Sequence, residues 1–596
     1  MRGDQDASTY LLLGLIGTGV GLGATARLAA GAACTLGACT VQASAPTGLV
    51  RVLTGRSPAE AWQAAGMPAW LFWACWAAEL VAVIAVVLWA WSRWGGRRQR
   101  RQVDPRRQAG MATAAQVRRH LSARAVERMR WLRPDLDKPR AKDLGMRVGM
   151  ARGVWVWIPI EDSMVISAPS RAGKGRYFVD PVVVEYPGAV VTTSVRAETA
   201  LGTVLDRAQV GPVAVFAPAG IDAVGQAGDV LRRASIRWSL WRGCEDTETA
   251  MRRARALAAN GGTRGTGNDE FWGGNARMVI APLLHAAALG EVDVDALARW
   301  ASRPGLAQEA VSILAGHPQA APGWADQLAS AMTGDDRTVA NIWATVRTCI
   351  SEPLMDPAVR EAISPAPGEQ LDIADFVGRR GTLYIVGDAA ATSAPLVAAL
   401  IEDVYAAAMA MANKSAGNRL TPPLGLLLDE INNIAALPSL GTMMSAGGGS
   451  NVTTVIVEQS RAQAAVRLGK DAADALFDSA TSKLILGGAT RSETLAEITA
   501  AVGERDVRRR TVSTGHSAWG TSTSWAEAEE RIMTGAQLRE LPKGTALLLK
   551  GSAPAVIVEG RDLESRAGRR GRRRPVTEQA PVRMAFTGAT VNESEE

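Results

Sequence analysis

The chain has 596 residues, 47% of them hydrophobic and 21% charged, with a net charge of +7 and a sequence pI near 9.4. That length exceeds one ordinary domain several-fold, and the positive balance points to anionic partners wherever it is clustered. Five scattered cysteines (34, 39, 75, 244 and 349) form no C-x-x-C pair and the four histidines stand far apart, which excludes a zinc-site reading and marks most of the chain as reducing-compartment protein.

Tyr10 to about Ala33 is apolar and Gly/Ala-rich, broken by Arg27, and Pro68 to Trp91 is a cleaner run of Trp, Leu, Val and Ala. Each is long enough to cross a bilayer. Arg93, Arg97, Arg98, Arg100, Arg101, Arg106 and Arg107 follow the second run and place that end in the cytoplasm. Two spans then return the N-terminus to the same side. Asp4 and Asp6 against Arg2 suit an uncleaved anchor better than a signal peptide. In the intervening extracytoplasmic loop, Cys34 and Cys39 either pair or remain two thiols. Gly17, Gly19, Gly21 and Gly23 form small-xxx-small pairs that permit close helix contact. Glu79 inside the second span requires a partner, and Arg27 is the available basic residue.

Beyond the arginine cluster, which serves as a topology signal or as a contact to nucleic-acid phosphates, Ala114 to Arg133 has the period of a basic amphipathic helix. Val154–Ile158 reads as a strand. Met164-Val165-Ile166 is another, and it feeds Ala168-Pro169-Ser170-Arg171-Ala172-Gly173-Lys174-Gly175 and then Arg176 and an apolar helix. Strand, small-residue loop and helix in that order fit a phosphate-binding P-loop, in which backbone N–H groups wrap the phosphates and a lysine reaches the outer ones. Ala168 replaces the usual first glycine, and Gly175 stands where a Mg²⁺-ligating hydroxyl is common. By itself a loop this degenerate would serve equally as a surface turn.

Strands at Ala189–Ser194 and Val213–Phe216 alternate with helical periods, which predicts a doubly wound parallel sheet. From Trp238 to about Pro367 only Ala/Leu-rich helical periods occur, among them Phe271–Ala288, Val294–Ser302 and Leu306–Leu314. The α/β pattern resumes at Leu383–Val386, with a helix from Ala394 to Met411. Leu424 to Glu430 is an apolar run ending in two carboxylates, the pattern of a buried parallel strand with acids at its C-terminal edge. After a P-loop, Asp429 there would hold Mg²⁺ and Glu430 would polarise the attacking water. Asn451–Val457 is the next strand, and Gln459 at its end is the candidate γ-phosphate sensor. Lys483–Leu486 and Ala546–Leu549 are later strands. From Arg561 a basic run and an acidic end read as a disordered tail.

These segments together resemble the TraG/TraD-type coupling proteins of conjugative type IV secretion, in their actinobacterial style. The likeness is carried by the two-span anchor, the A-P-S-R-A-G-K-G loop, Pro187–Val191 with Thr193-Ser194-Val195-Arg196, and Val215–Gly220. It continues through Phe271-Trp272, Leu284-His285-Ala286-Ala287, Leu428-Asp429-Glu430, Gln459–Gln463 and Leu541-Pro542-Lys543-Gly544. Gly175 after the lysine is usual in that family; Arg196 stands where many relatives carry lysine. The resemblance implies a RecA-like ATPase using ATP and Mg²⁺. Its ring, a homo-hexamer, lies at the inner face of the cell membrane and passes relaxase-bound single-stranded DNA, or a protein, to the channel components. It also implies that residues 168–176 bind nucleotide, that Lys174 meets the β/γ-phosphates, that Asp429 positions the metal, and that Glu430 and Gln459 serve catalysis. The expected organisation is a cytoplasmic tail (1–8), spans at 9–33 and 68–92 around a loop (34–67), and a basic linker (93–150). Two nucleotide-binding parts (151–237 and 371–560) then flank an all-helical domain (238–370), and a tail (561–596) follows. Rival readings are a duplex-DNA translocase of cell division, a protein-only secretion motor and an inactive membrane scaffold.

Overall fold

The computed structural model of the chain describes residues 4–563 apart from 100–103, 105, 107, 222–223, 262–268, 367–368, 370, 388–391, 490 and 515–520. Residues 564–596 of the predicted tail, most side chains of the arginine cluster, and those of Phe271 and Trp272 lie outside the described residues. The chain divides into two units, residues 1–104 with 506–529, and residues 105–505 with 530–596.

In the first unit, helices Asp4–Gly37 and Ala69–Gln99 pack together. Ala69–Val86 is long and apolar enough to cross a membrane, and only 6% of it is buried. Between the two, the short helices Ala45–Leu53 and Pro58–Ala61 close a small core around Trp62 and Phe72. A Cβ on Gly48 would lie 2.2 Å from the Trp62 ring, so glycine is required there. Of the small-residue stripe, Gly23 faces Ala45 and Leu49, and thus serves this cap. Cys34 and Cys39 form a disulfide. The Arg27–Glu79 pair expected from the sequence does not form: Arg27 Nη1 donates to the Ala43 carbonyl, and Glu79 Oε2 has no partner. The cap offers Arg27 a nearer acceptor.

The second unit is built on one 11-stranded sheet. Its strands are β1 (Gly145–Ala151), β2 (Val154–Pro159), β3 (Met164–Ser167), β4 (Ala189–Ser194), β5 (Val213–Phe216), β6 (Thr382–Val386), β7 (Leu424–Asp429), β8 (Val452–Glu458) and β9 (Ser482–Leu486). After a separate two-stranded ribbon, β10 (Glu504–Thr514) with β11 (Thr521–Arg531), come β12 (Thr545–Lys550) and β13 (Ala553–Glu559). The order is β2-β1-β13-β12-β9-β3-β8-β7-β4-β6-β5. The run from β9 to β5 is parallel, and the four strands at the other end are antiparallel.

The parallel strands read as unbroken apolar runs because both faces are covered. Leu424, Leu426 and Leu428 enter one core with Val452 and Ile456, whereas Leu427, Val455 and Val457 enter the other with Ile166. Among the described residues, 238–366 hold helices and no strand, as expected. Helix Ala394–Asn413 is also long and apolar enough to cross a membrane, but it is 72% buried in this body. Its Asp403 accepts from both Arg252 and Arg253, the latter at 2.6 Å.

The single helix expected over 114–133 is instead three pieces, Ala114–His120, Ala123–Glu127 and the short turn Arg130–Leu132. Leu121 leaves helical geometry and gives its carbonyl to the N–H of Trp157 in β2, while Ser122 caps the next turn. A sheet hydrogen bond outcompetes the helical period here.

Candidate active site

Four neighbouring strands of the sheet, β3, β8, β7 and β4, end side by side, and each delivers part of a cleft of about 1020 Å³. Registers fix the alignment: Ser167 pairs with Glu458, Asp429 with Val457, and Thr193 with Leu428. Crevices beyond the carboxyl ends of parallel strands are where α/β sheets bind ligands.

From β3 the chain turns through the P-loop. Ala168 is buried and donates its N–H to the Glu458 carbonyl at 2.9 Å, and Pro169 lies against Gly488. Arg171 and Gly173 adopt positive φ, 65° and 89°. A Cβ on Gly173 would sit 2.8 Å from the Tyr177 ring, so only glycine makes this turn without displacing it. Gly175 has open space around it and begins a wide helical turn, Gly175–Val179, that continues as helix Asp180–Glu185. Ser170, Arg171, Gly173, Lys174, Gly175 and Arg176 line the cleft. Arg176 is tied to Asp562 at 2.8 Å.

Lys174, Asp429, Glu430 and Gln459, drawn from three separate stretches of chain, meet here. Lys174 Nζ donates to Asp429 Oδ1 at 2.7 Å and to Glu430 Oε1 at 2.9 Å. Gln459 Nε2 donates to the same Glu430 oxygen at 2.8 Å, and Ser170 Oγ donates to Gln459 Oε1 at 3.1 Å. Asp429 closes β7, with its carbonyl held by Thr193 Oγ1 at 2.8 Å. Glu430 turns out of the strand at φ 54°, while its N–H still bonds the Val457 carbonyl.

The two carboxyls are driven apart electrostatically. Burial pushes Asp429 up, and Lys174 only partly offsets it. Burial also pushes Glu430 up, but the hydrogen bonds from Lys174 and Gln459, with the Lys174 charge, bring it net below the usual range. Asp180, which lines the cleft, is raised to about 6, chiefly by burial, and its Oδ1 has no partner.

Sequence reasoning missed Ser170 and Thr193 as positioning groups, and Asp180 altogether. Hydroxyls and a lone helical acid carry no spacing signal. It also left His285 without a role. The ring is buried, bonded to the Cys244 carbonyl through Nδ1 and accepting from the Ala321 N–H at Nε2, so it is a satisfied core histidine.

A mostly parallel sheet with a P-loop at one strand end and paired acids two strands away defines a RecA-like P-loop NTPase fold. Comparison with known proteins narrows the class. Residues 423–543 match the family described as the TraM recognition site of TraD and TraG. Three solved structures of one bacterial conjugative coupling protein, TrwB, each align over 74% of this chain and 92% of their own. The unbound form and the complex with the non-hydrolysable GTP analogue GDPNP are each 17% identical with TM-score 0.51, and the complex with ADP and Mg²⁺ is 16% identical with TM-score 0.50. No curated protein sequence matches the chain. The TraG/TraD-type resemblance drawn from the motifs is thus supported by a family match over 423–543 and by a shared fold.

Proposed function

We propose that this chain is a membrane-anchored coupling ATPase, which delivers relaxase-bound single-stranded DNA, or a protein, to a type IV secretion channel. The observation that carries this reading is the convergence of Lys174 on Asp429 and Glu430, with Gln459 on Glu430. The residues suit a Mg²⁺–nucleotide: a loop shaped by Gly173, a lysine, a buried strand-end acid, and the unpartnered Asp180 Oδ1. TrwB is known with a GTP analogue and with ADP and Mg²⁺, on the same fold.

When ATP binds, Lys174 exchanges its two carboxylates for phosphate oxygens. That frees Glu430 to accept a proton from water and leaves Gln459, steered by Ser170, to contact the terminal phosphate. Asp429, whose backbone carbonyl is held by Thr193, would hold Mg²⁺. Bound Mg²⁺ supplies neutralisation of phosphate charge. The helix pair keeps the motor at the cytoplasmic membrane, six copies form the ring, and the 423–543 region carries docking to the relaxosome.

Purified protein should hydrolyse ATP, with stimulation by single-stranded DNA that weakens as salt rises. Lys174→Ala should abolish turnover. Glu430→Gln should bind nucleotide normally and lose roughly 10²-fold or more in rate. Hydrolysis at equal rates in wild type and Lys174→Ala would leave an inactive scaffold as the better account. Indifference to single-stranded DNA across low to moderate salt would leave a protein-only motor.

A further inference from the structure

At the polar centre of the cleft the one lysine is outnumbered by acids. Lys174 is opposed by two carboxylates, so the three groups together carry a net negative charge where the terminal phosphate would approach. Arg176 is tied to Asp562, and Arg467 donates to Asn260 at 3.0 Å. Arg171 lies on the P-loop itself, on Lys174's side of the acids. On the opposite side, β4 runs beside β7, with Thr193 aligned to Leu428, so the residues just past its end flank Asp429 and Glu430. Arg196 is there. It lines the cleft, and its backbone N–H is fixed by Ser194 Oγ at 3.2 Å.

We propose that Arg196 is a second phosphate-binding cation, closing on the terminal phosphate of a bound triphosphate in its own subunit, from the side of the acidic pair opposite Lys174. The proposal rests on the ATPase reading above. The Arg196 side chain is 81% exposed, and among the described residues its one carboxylate contact is Glu198 at 3.9 Å, itself 81% exposed. A solvated pair that long contributes almost nothing and exchanges freely for a stronger anion. A guanidinium offers paired N–H donors to phosphate oxygens, and charge spreads onto those oxygens as the terminal phosphoryl group transfers. The Arg196 charge already reaches Glu430, on which it acts in the acidifying direction. Because the proposed contact is to the terminal phosphate, which a diphosphate lacks, Arg196 should discriminate triphosphate from diphosphate, whereas Lys174 serves both.

The test uses the full-length protein in detergent, titrated with a fluorescent non-hydrolysable ATP analogue and with fluorescent ADP in the presence of Mg²⁺. Arg196→Ala should weaken triphosphate binding roughly tenfold, the size of one charge-assisted contact, and leave ADP binding unchanged. Arg196→Lys should restore most of the difference. Equal losses for both nucleotides, or no loss, would overturn the assignment. Wild-type protein that bound neither nucleotide would instead remove the ATPase reading, and this proposal with it. Mixing Arg196→Ala with Lys174→Ala subunits separates the two possible origins of the contact. Continued loss of triphosphate discrimination supports action within one subunit, and its recovery would show that Arg196 reaches a neighbour's nucleotide.

Discussion

Glu458 ends β8 one residue before Gln459, is 8% exposed, and its Oε1 has no partner. Burial pushes its carboxyl up to about 7, with the Arg461 charge pulling the other way. A carboxyl whose folded value lies above its unfolded one binds its proton more tightly in the fold. The stability this contributes is complete below the ordinary value of 4.5 and is lost as pH rises through about 7. Glu458→Gln should therefore change little at pH 4.5 and raise the thermal midpoint at pH 8, by the equivalent of about 3 kcal/mol. Midpoints measured across that range check this, and an equal shift at both ends would rule out titration as the cause. Lys174 shows the converse economy. Its charge is taken up by Asp429 and Glu430, so the contacts that order the site must be surrendered to substrate.

Helix Ala394–Asn413 illustrates the scale of the element. Its composition alone suits a bilayer, yet it lies in the core between the sheet and the helical domain. The distinction comes from Asp403, which is 4% exposed and receives the guanidinium groups of Arg252 and Arg253 from helix Thr247–Ala258. Arg253 also stacks 4.8 Å from the Trp238 ring. Removing one member of a buried ionic cluster strands the others, at a cost of about 3–5 kcal/mol. Asp403→Ala should lower the thermal midpoint of the body by several degrees, whereas Asp375→Ala, which breaks an exposed pair with Arg379, should leave it nearly unchanged. Comparable midpoints for the two variants would show that Asp403 does not organise this contact.

At the scale of the whole molecule, the chain divides into two units, one holding the helix pair proposed as anchor and the other the cleft. A chain lacking residues 1–95 should be soluble, should bind nucleotide through the same cleft, and should self-associate more weakly. Light scattering of the two forms measures this, and an unchanged oligomer would show that the helix pair is dispensable for assembly. Every group of the cleft belongs to the second unit, so nucleotide binding should survive the deletion.

The parallel core of the sheet, the helical stretch and the residues that converge in the cleft were legible in the sequence alone. Strands buried on both faces must be continuously apolar, and phosphate chemistry needs a glycine turn, a lysine and strand-end acids, so each leaves a local trace. Of the antiparallel extension, β2 and β12 were legible as Val154–Ile158 and Ala546–Leu549, whereas β1 and β13 were not read. Gly145 and Gly149 are poor strand formers in isolation, and they serve β1 because a Cβ on either would meet a neighbouring backbone carbonyl, Ile158 at 2.6 Å and Glu559 at 2.3 Å. The sequence of the ribbon β10–β11 shows no sustained apolar alternation, and Arg508 opposite Glu527 becomes a cross-strand pair only once the strands meet. Arg207 reads as a surface cation, yet it is buried, satisfied by the carbonyls of Tyr186 and Gly188 and the hydroxyl of Thr382. Strand order, the commitment of Lys174 to acids some 255 residues away, and the placing of Arg196 on the cleft follow from tertiary packing. Contacts between residues so distant in sequence depend on which surfaces pack together, and no local pattern records that.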